Sequence, residues 1–203
     1  IGYADMLNSV NLSEEEKREA YFYIYSQGKR LESLSHKLLE LVSMEKQDMI
    51  RKPVSTRKLE QNLRTAMRPV FSAKKIHGKI ALEKGTILGD YELLLSLLYN
   101  LLDNAVKAVE EGGFILLKGS LLAEGYEIKV VDNGRGIPPK EIHRITEAFY
   151  MVDKSRSRKE GGAGIGMALC KKIISLHGGV LKIDSRLGEG TVIKVMFPIA
   201  TFS

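Results

Sequence analysis

The sequence predicts an α+β fold: a two-layer α/β sandwich, with helices on one face of a mixed sheet, preceded by a helical hairpin. Three observations lead there. Residues 1–46 carry helical periodicity almost throughout, with one leucine-rich seam. Residues 47–203 alternate helical patterns with strand-like runs, several of them paired like hairpins. Those runs lack the regular strand–helix–strand rhythm of a doubly wound parallel sheet. The two parts are expected to be separate domains.

Residues 1–9, "IGYADMLNS", read as the last turns of a helix that begins upstream. Ser13 then caps a second helix, and Glu16, three residues on, completes a capping box. That helix is expected to reach about Lys46, with Ala20, Ile24, Leu31, Leu34, Leu38 and Leu41 on a near-heptad seam. His36 falls on the opposite, outer face. Two helices with one long seam bury too little alone, so a homodimer forming a four-helix bundle is expected.

In the second part, "DMIRKPV" is a short strand candidate with Pro53 at its end. Residues 55–76 form an amphipathic helix that Pro69 should kink or divide. "KIALEKG" (79–85) is a strand, and residues 89–113 are a strongly apolar helix ended by glycines. "FILLKGSLL", "YEIKVVD", "GVLKIDSRL" and "TVIKVMFPI" alternate as strands. "PPKEIHRITEAF" and residues 164–177 are expected to be helical.

Composition narrows the function classes. Hydrophobic residues make up 44% and charged residues 28% of 203, a soluble globular profile. "LLLSLLYNLL" is the longest apolar run; it is too short for a bilayer and contains Asn100. No signal peptide opens the chain, which starts at Ile1 and reads as a fragment or processed product. A membrane link would then run only through upstream segments. The single cysteine, Cys170, excludes an intrachain disulfide and a cysteine-based zinc site, and suits a reducing, cytoplasmic compartment. The net charge of +6 is spread along the chain, with no aromatic-lined basic face, so a nucleic-acid partner is not expected.

Three stretches carry chemistry. In "YNLLDNAVKA" (99–108), Asn100, Asn104 and Lys107 lie on one stripe of an otherwise apolar helix. Buried polar groups need partners, so the stripe is either an internal hydrogen-bond network or a ligand site. In "VDNGRGIPP" (131–139), Asp132 ends a strand beside Gly134 and Gly136. "NG" is a common turn signal, yet a carboxylate there can accept a hydrogen bond from the exocyclic amine of adenine. It would face a carbonyl in guanine and reject it. In "EGGAGIGMALCKKIISLHGG" (160–179), glycines open an apolar helix whose first amides favour phosphate. The spacing fits neither a P-loop nor a dinucleotide fingerprint. Between the last two stretches, "FYMVDKSRSRKEGG" reads as a basic lid over a polyphosphate or as a plain solvated loop.

The order of these motifs, followed by "GEGT" at 188–191, resembles the ATP-binding domain of bacterial sensor histidine kinases, in the GHKL (Bergerat-fold) superfamily. The resemblance covers about residues 47–199; the segment before it resembles the later part of that family's dimerisation and phosphotransfer hairpin. It implies that Asn104 ligates Mg2+ and that Asn100 and Lys107 contact phosphates or metal-bound water. It implies that Asp132 binds adenine, with Gly134, Gly136, Ile137 and Thr191 shaping that end. Phe149 would anchor the lid hinge, and Lys154 and Arg156 would face the phosphates. Gly162, Gly164, Ile165, Gly166 and Met167 would bring backbone amides to them. A response-regulator receiver domain is the implied partner of the full-length protein. Two positions depart from the family pattern: Met151 replaces a frequent arginine, and Ala108 a frequent aromatic residue.

The same fold serves ATP-driven clamps, so a GHKL-type ATPase and a non-catalytic nucleotide-binding scaffold are the alternatives. Those ATPases carry a glutamate base one turn before the magnesium asparagine. Here that position is Asn100, which cannot take a proton at neutral pH. The intact Asn104 and Asp132 argue against a scaffold. None of His36, His77, His143 and His177 has the acidic neighbour and downstream proline of the family's phosphoacceptor. The acceptor histidine is therefore expected to be absent, and the last three histidines to lie at the surface or complement a helix C-terminus.

Overall fold

The fold is described from a computed structural model, covering residues 2–9, 12–43, 51–153 and 164–199. Helix α1 (Gly2–Ser9) and helix α2 (Glu14–Ser43) form the expected hairpin. The Ser13 capping box is present: Glu16 N–H donates to Ser13 Oγ at 3.3 Å, and Ser13 N–H donates to Glu16 Oε2 at 2.8 Å. Those Ser13 bonds hold the Glu16 carboxyl below its ordinary value. Tyr3 stacks on Tyr23 with ring centroids 4.4 Å apart, and Ala20 is fully buried. Beyond that contact Ile24 and Leu31 of the seam are exposed, while Leu34 and Leu38 are half-buried. His36 is exposed, as its position opposite the seam predicts.

Strand β1 (Lys52–Ser55) leads into helix α3 (Thr56–Ala73). Leu59, Leu63, Met67 and Phe71, four residues apart, are its buried stripe. Of the kink or division expected at Pro69, the division does not occur: the helix is continuous through it. Met67 and Phe71 anchor the turns on either side, and Lys74 N–H still reaches Val70 O at 3.2 Å. Strands β2 (His77–Leu82) and β3 (Thr86–Gly89) follow. Sequence reading missed β3, whose four residues are defined only by antiparallel pairing with β1.

Helix α4 (Tyr91–Ala108) is capped by Asp90, whose Oδ1 accepts from Leu93 N at 3.0 Å. It ends earlier than expected, because Val109 is already extended and Gly112, at φ +80°, makes the turn into the sheet. Strands β4 (Phe114–Leu122) and β5 (Gly125–Asp132) match their predicted runs closely. The stretch after Pro138 is not a regular helix. It is a 3-10 turn, Pro139–Glu141, followed by successive tight turns. Its β-branched Ile142, Ile145 and Thr146 give little helical drive. Helix α5 (Gly166–Leu176) and strands β6 (Val180–Arg186) and β7 (Gly190–Pro198) complete the chain.

The five-stranded sheet has the order β2-β4-β5-β7-β6, with β2 parallel to β4 and the other pairs antiparallel. Helices α3, α4 and α5 share one core with it, built on Leu94, Leu97, Leu98 and Leu101 of α4. The register also aligns Lys118, Lys129, Lys194 and Lys182 across four neighbouring strands. These lysines are scattered in the sequence and adjacent in space.

His177 departs from its expected surface position. It is buried at the end of α5, where its Nδ1 donates to Ile173 O at 2.8 Å and its Nε2 accepts from Asp90 N–H at 3.1 Å. The cation at that helix end is Arg51, whose Nη2 donates to Leu176 O at 2.8 Å. Burial pushes the His177 ring below its ordinary 6.5, with the Ile173 carbonyl opposing. The unfolded chain thus takes up a proton that the folded form resists. Its contribution to stability is complete above that value and is lost as pH falls through it. Thermal melts between about pH 7.5 and pH 5.5 should show Tm falling with acid. His177→Gln should lower Tm overall and flatten that slope; an unchanged slope would contradict the assignment.

Candidate functional site

The candidate site is a cavity of about 550 Å3 at the C-terminal end of β5, between α4, the N-terminus of α5 and the β6–β7 turn. Ten residues singled out in the sequence line it: Asn104, Lys107, Asp132, Gly136, Ile137, Gly164, Ile165, Gly166, Met167 and Thr191. Ala108 and Met151, the two departures from the family pattern, line it as well. Lys154, Arg156 and Gly162 lie outside the described residues.

Asp132 is buried, and its Oδ1 accepts from Gly134 N at 2.9 Å. Burial raises its pKa; the Gly134 and Thr191 amides oppose that rise. Thr191 stands opposite Asp132 in the β5–β7 register. Its Oγ1 lies 2.9 Å from Ser185 Oγ, which also accepts from Ile137 N at 2.8 Å. Ser185 therefore ties the carboxylate's neighbour to the glycine turn. Sequence reading overlooked it, although counting back through the β6–β7 hairpin places it opposite Thr191.

The glycines work by close approach. Gly136 has φ +67°, and a Cβ there would lie 1.9 Å from Arg186 O. A Cβ on Gly134 would lie 2.7 Å from the Ala108 carbonyl, so this glycine packs against the end of α4 rather than lining the cavity. Phe149 also lies off the cavity, 58% exposed and at φ +66°, a conformation that costs energy outside glycine. Its N–H donates to Gly164 O at 2.8 Å and ties the two ends of the intervening segment together.

On the other side, Asn100 is buried beneath the lining, with Nδ2 donating to Ser96 O at 2.9 Å. Its Oδ1 would be 3.2 Å from a Cβ on Gly166, so it sits directly against the start of α5. Lys107 is held by Asp103, Nζ to Oδ2 at 2.7 Å. Asn104 differs from both, for its side-chain nitrogen is buried without a hydrogen-bond partner among the described residues. Such a group is costly unless a ligand completes it. Turning the amide would present Oδ1 at the same place, a suitable ligand for a hard cation. No group of three or more His, Cys, Asp or Glu among the described residues could hold a metal. A magnesium ion here would rely on phosphate oxygens and water for its other ligands.

A mixed sheet under three helices, with a buried carboxylate at a strand end and a glycine-opened helix beside it, matches a known class. Residues 89–201 match the family described as histidine kinase-, DNA gyrase B-, and HSP90-like ATPase, and the chain belongs to it. Its relatives are sensor histidine kinases. It is 31% identical to signal transduction histidine-protein kinase ArlS of Staphylococcus aureus (strain USA300) over 195 residues, covering 93% of this chain and 40% of ArlS. It is 38% identical to sensor histidine kinase WalK of Bacillus subtilis (strain 168) over 111 residues, 54% of this chain and 18% of WalK. The chain thus spans two fifths or less of the length of these relatives.

Among solved structures, full-length ShkA in complex with AMPPNP superimposes with a TM-score of 0.76 at 28% identity, covering all of this chain and 42% of that one. The mycobacterial sensor histidine kinase MprB gives 0.63 at 26% identity, covering 73% of this chain and 97% of that one. The mixed sheet and its helical layer are therefore the histidine kinase ATPase fold expected from the sequence. Among the described residues, no helix is long and apolar enough to cross a membrane.

Proposed function

We propose that this chain is the catalytic core of a sensor histidine kinase, which binds Mg-ATP and directs its γ-phosphate to a histidine outside the described residues. From there the phosphate would pass to an aspartate of a response-regulator receiver domain. The observation that carries this reading is one cavity lined by both a buried carboxylate, Asp132, and a buried amide nitrogen, on Asn104, that has no partner among the described residues.

In this reading Asp132 accepts from the adenine amine, and Thr191, held by Ser185, supports it. Gly136 and Ile137 shape the wall, and Gly134 seats the turn against the end of α4. Asn104 holds Mg2+, which neutralises phosphate charge when bound. Lys107 serves the phosphates, as do the amides of Gly164, Ile165, Gly166 and Met167, while Asn100 beneath them supports the start of α5. Asn100 has its nitrogen committed to Ser96 and offers no base to activate water. That favours holding ATP for transfer over rapid hydrolysis.

Residues 1–46 would be the dimerisation hairpin and 47–203 the catalytic domain. The exposed Ile24 and Leu31 support a homodimer through α2. We place this part of the protein in the cytoplasm, with any membrane link through segments outside it.

Calorimetric titration with Mg-ATP tests the reading. The chain should bind, and Asn104→Ala should weaken binding about tenfold or more and remove its magnesium dependence. Absence of binding would overturn the reading, and rapid turnover without an acceptor would favour the ATPase alternative. With labelled ATP the chain should stay unlabelled, because none of its four histidines stands in an acceptor context. An acid-labile label on it would contradict that.

A further inference from the structure

The cavity has a wall that belongs to the hairpin. Ser33, Leu34 and Lys37 of α2 line it together with Asn104, Lys107 and Gly166. Ser33 and Lys37 are one turn apart, so they project from the same face of α2. Leu34, placed on the dimer seam by the heptad pattern, is half-buried and instead helps close the cavity. Helix α2 packs directly against α5.

Lys37 is the cation on this wall. Among the described residues its amine has no hydrogen bond or ion pair, whereas Lys107 is held by Asp103. It sits beside the first turns of α5. Burial pushes the Cys170 thiol up to about 12, and the Lys37 charge is the main influence opposing this. Cys170 is one turn on from Gly166, which lines the cavity, and no side chain caps that end of α5. A cation that lines the same cavity as a helix N-terminus gives an anion there two sources of attraction.

We infer that Lys37 of α2 belongs to the phosphate end of the nucleotide site, so that the hairpin contacts the terminal phosphate of bound ATP. The inference rests on the nucleotide reading above and adds a phosphate-binding residue from the hairpin. Linkage follows from it. If docking of α2 strengthens ATP binding, ATP must hold α2 against the catalytic domain to the same degree. ADP lacks the terminal phosphate and holds it less.

The experiment uses the full chain and compares Mg-ATP with Mg-ADP. Lys37→Ala should weaken ATP about tenfold and ADP much less, and raised salt should shrink the difference. Lys37→Arg should restore most of the ATP affinity. Hydrogen exchange at residues 33–38 should be slowed by ATP more than by ADP in the parent chain, and equally by both in Lys37→Ala. Equal ATP affinity in parent and Lys37→Ala, or equal losses for both nucleotides, would overturn the inference while leaving the nucleotide site intact. Binding of neither nucleotide by the parent would remove the site itself, and the inference with it. Lys37 is on the helix surface, so an unchanged circular dichroism melt is expected to show that the variant folds.

Discussion

Asp132→Asn is expected to separate binding from stability. ATP affinity should fall about 10- to 100-fold, the loss expected for one charge-assisted hydrogen bond in a buried site. Discrimination against GTP should fall too, because an amide can turn to face either an amine or a carbonyl. The unliganded protein should nevertheless melt at the parent's temperature or above. The folded pKa of Asp132 is raised by burial, so its favourable contribution exists only below the ordinary 3.8 and is lost as pH rises through the folded value. At neutral pH the charge opposes folding, and asparagine removes it while keeping an acceptor for the Gly134 amide. Nucleotide titration and thermal melts on the same sample test both halves. A variant that melts well below the parent would show that the charge is structural, and unchanged ATP affinity would remove Asp132 from the site.

Gly136→Ala should produce the opposite pattern, damaging stability and binding together. The residue has φ +67°, which costs a non-glycine residue roughly 1–2 kcal/mol. Its new Cβ would also meet Arg186 O at 1.9 Å, and backbone cannot yield as a side chain can. The β6–β7 turn must shift, and it carries the Ser185–Thr191 pair beside Asp132. A Tm drop of several degrees with about tenfold weaker ATP binding is expected. Gly188→Ala is the control: its φ of +82° carries the same conformational cost, but nothing lies within 4 Å of its Cβ. It should lower Tm less and leave binding nearly unchanged. Equal effects at both positions would show that backbone strain alone, not contact with the turn, matters at Gly136.

Much of the site was legible in the sequence because its elements are local. Helical spacing alone puts Asn100, Asn104 and Lys107 on one stripe, and ten of the expected residues do line one cavity. The misses follow physical rules as well. Pro69 does not divide its helix, where Met67 and Phe71 pack on either side of it. His177 reads as surface because a lone histidine at a helix end resembles a charge complement. Its burial depends on Asp90, which is 87 positions away in sequence. Ser185 carries no signal except its register.

The sequence by itself determined the elements, the glycine turns, and which side chains have chemistry to offer. Those follow from periodicity, capping and backbone freedom, which act over a few residues. Only the tertiary structure decided which distant residues meet. It set Ser185 against Thr191, aligned Lys118, Lys129, Lys194 and Lys182 across the sheet, and laid Lys37 of the hairpin along the candidate cavity. Strand register and helix packing are long-range choices, settled by how the apolar faces fit together. No local pattern around Lys37 distinguishes a lysine facing water from one facing a phosphate.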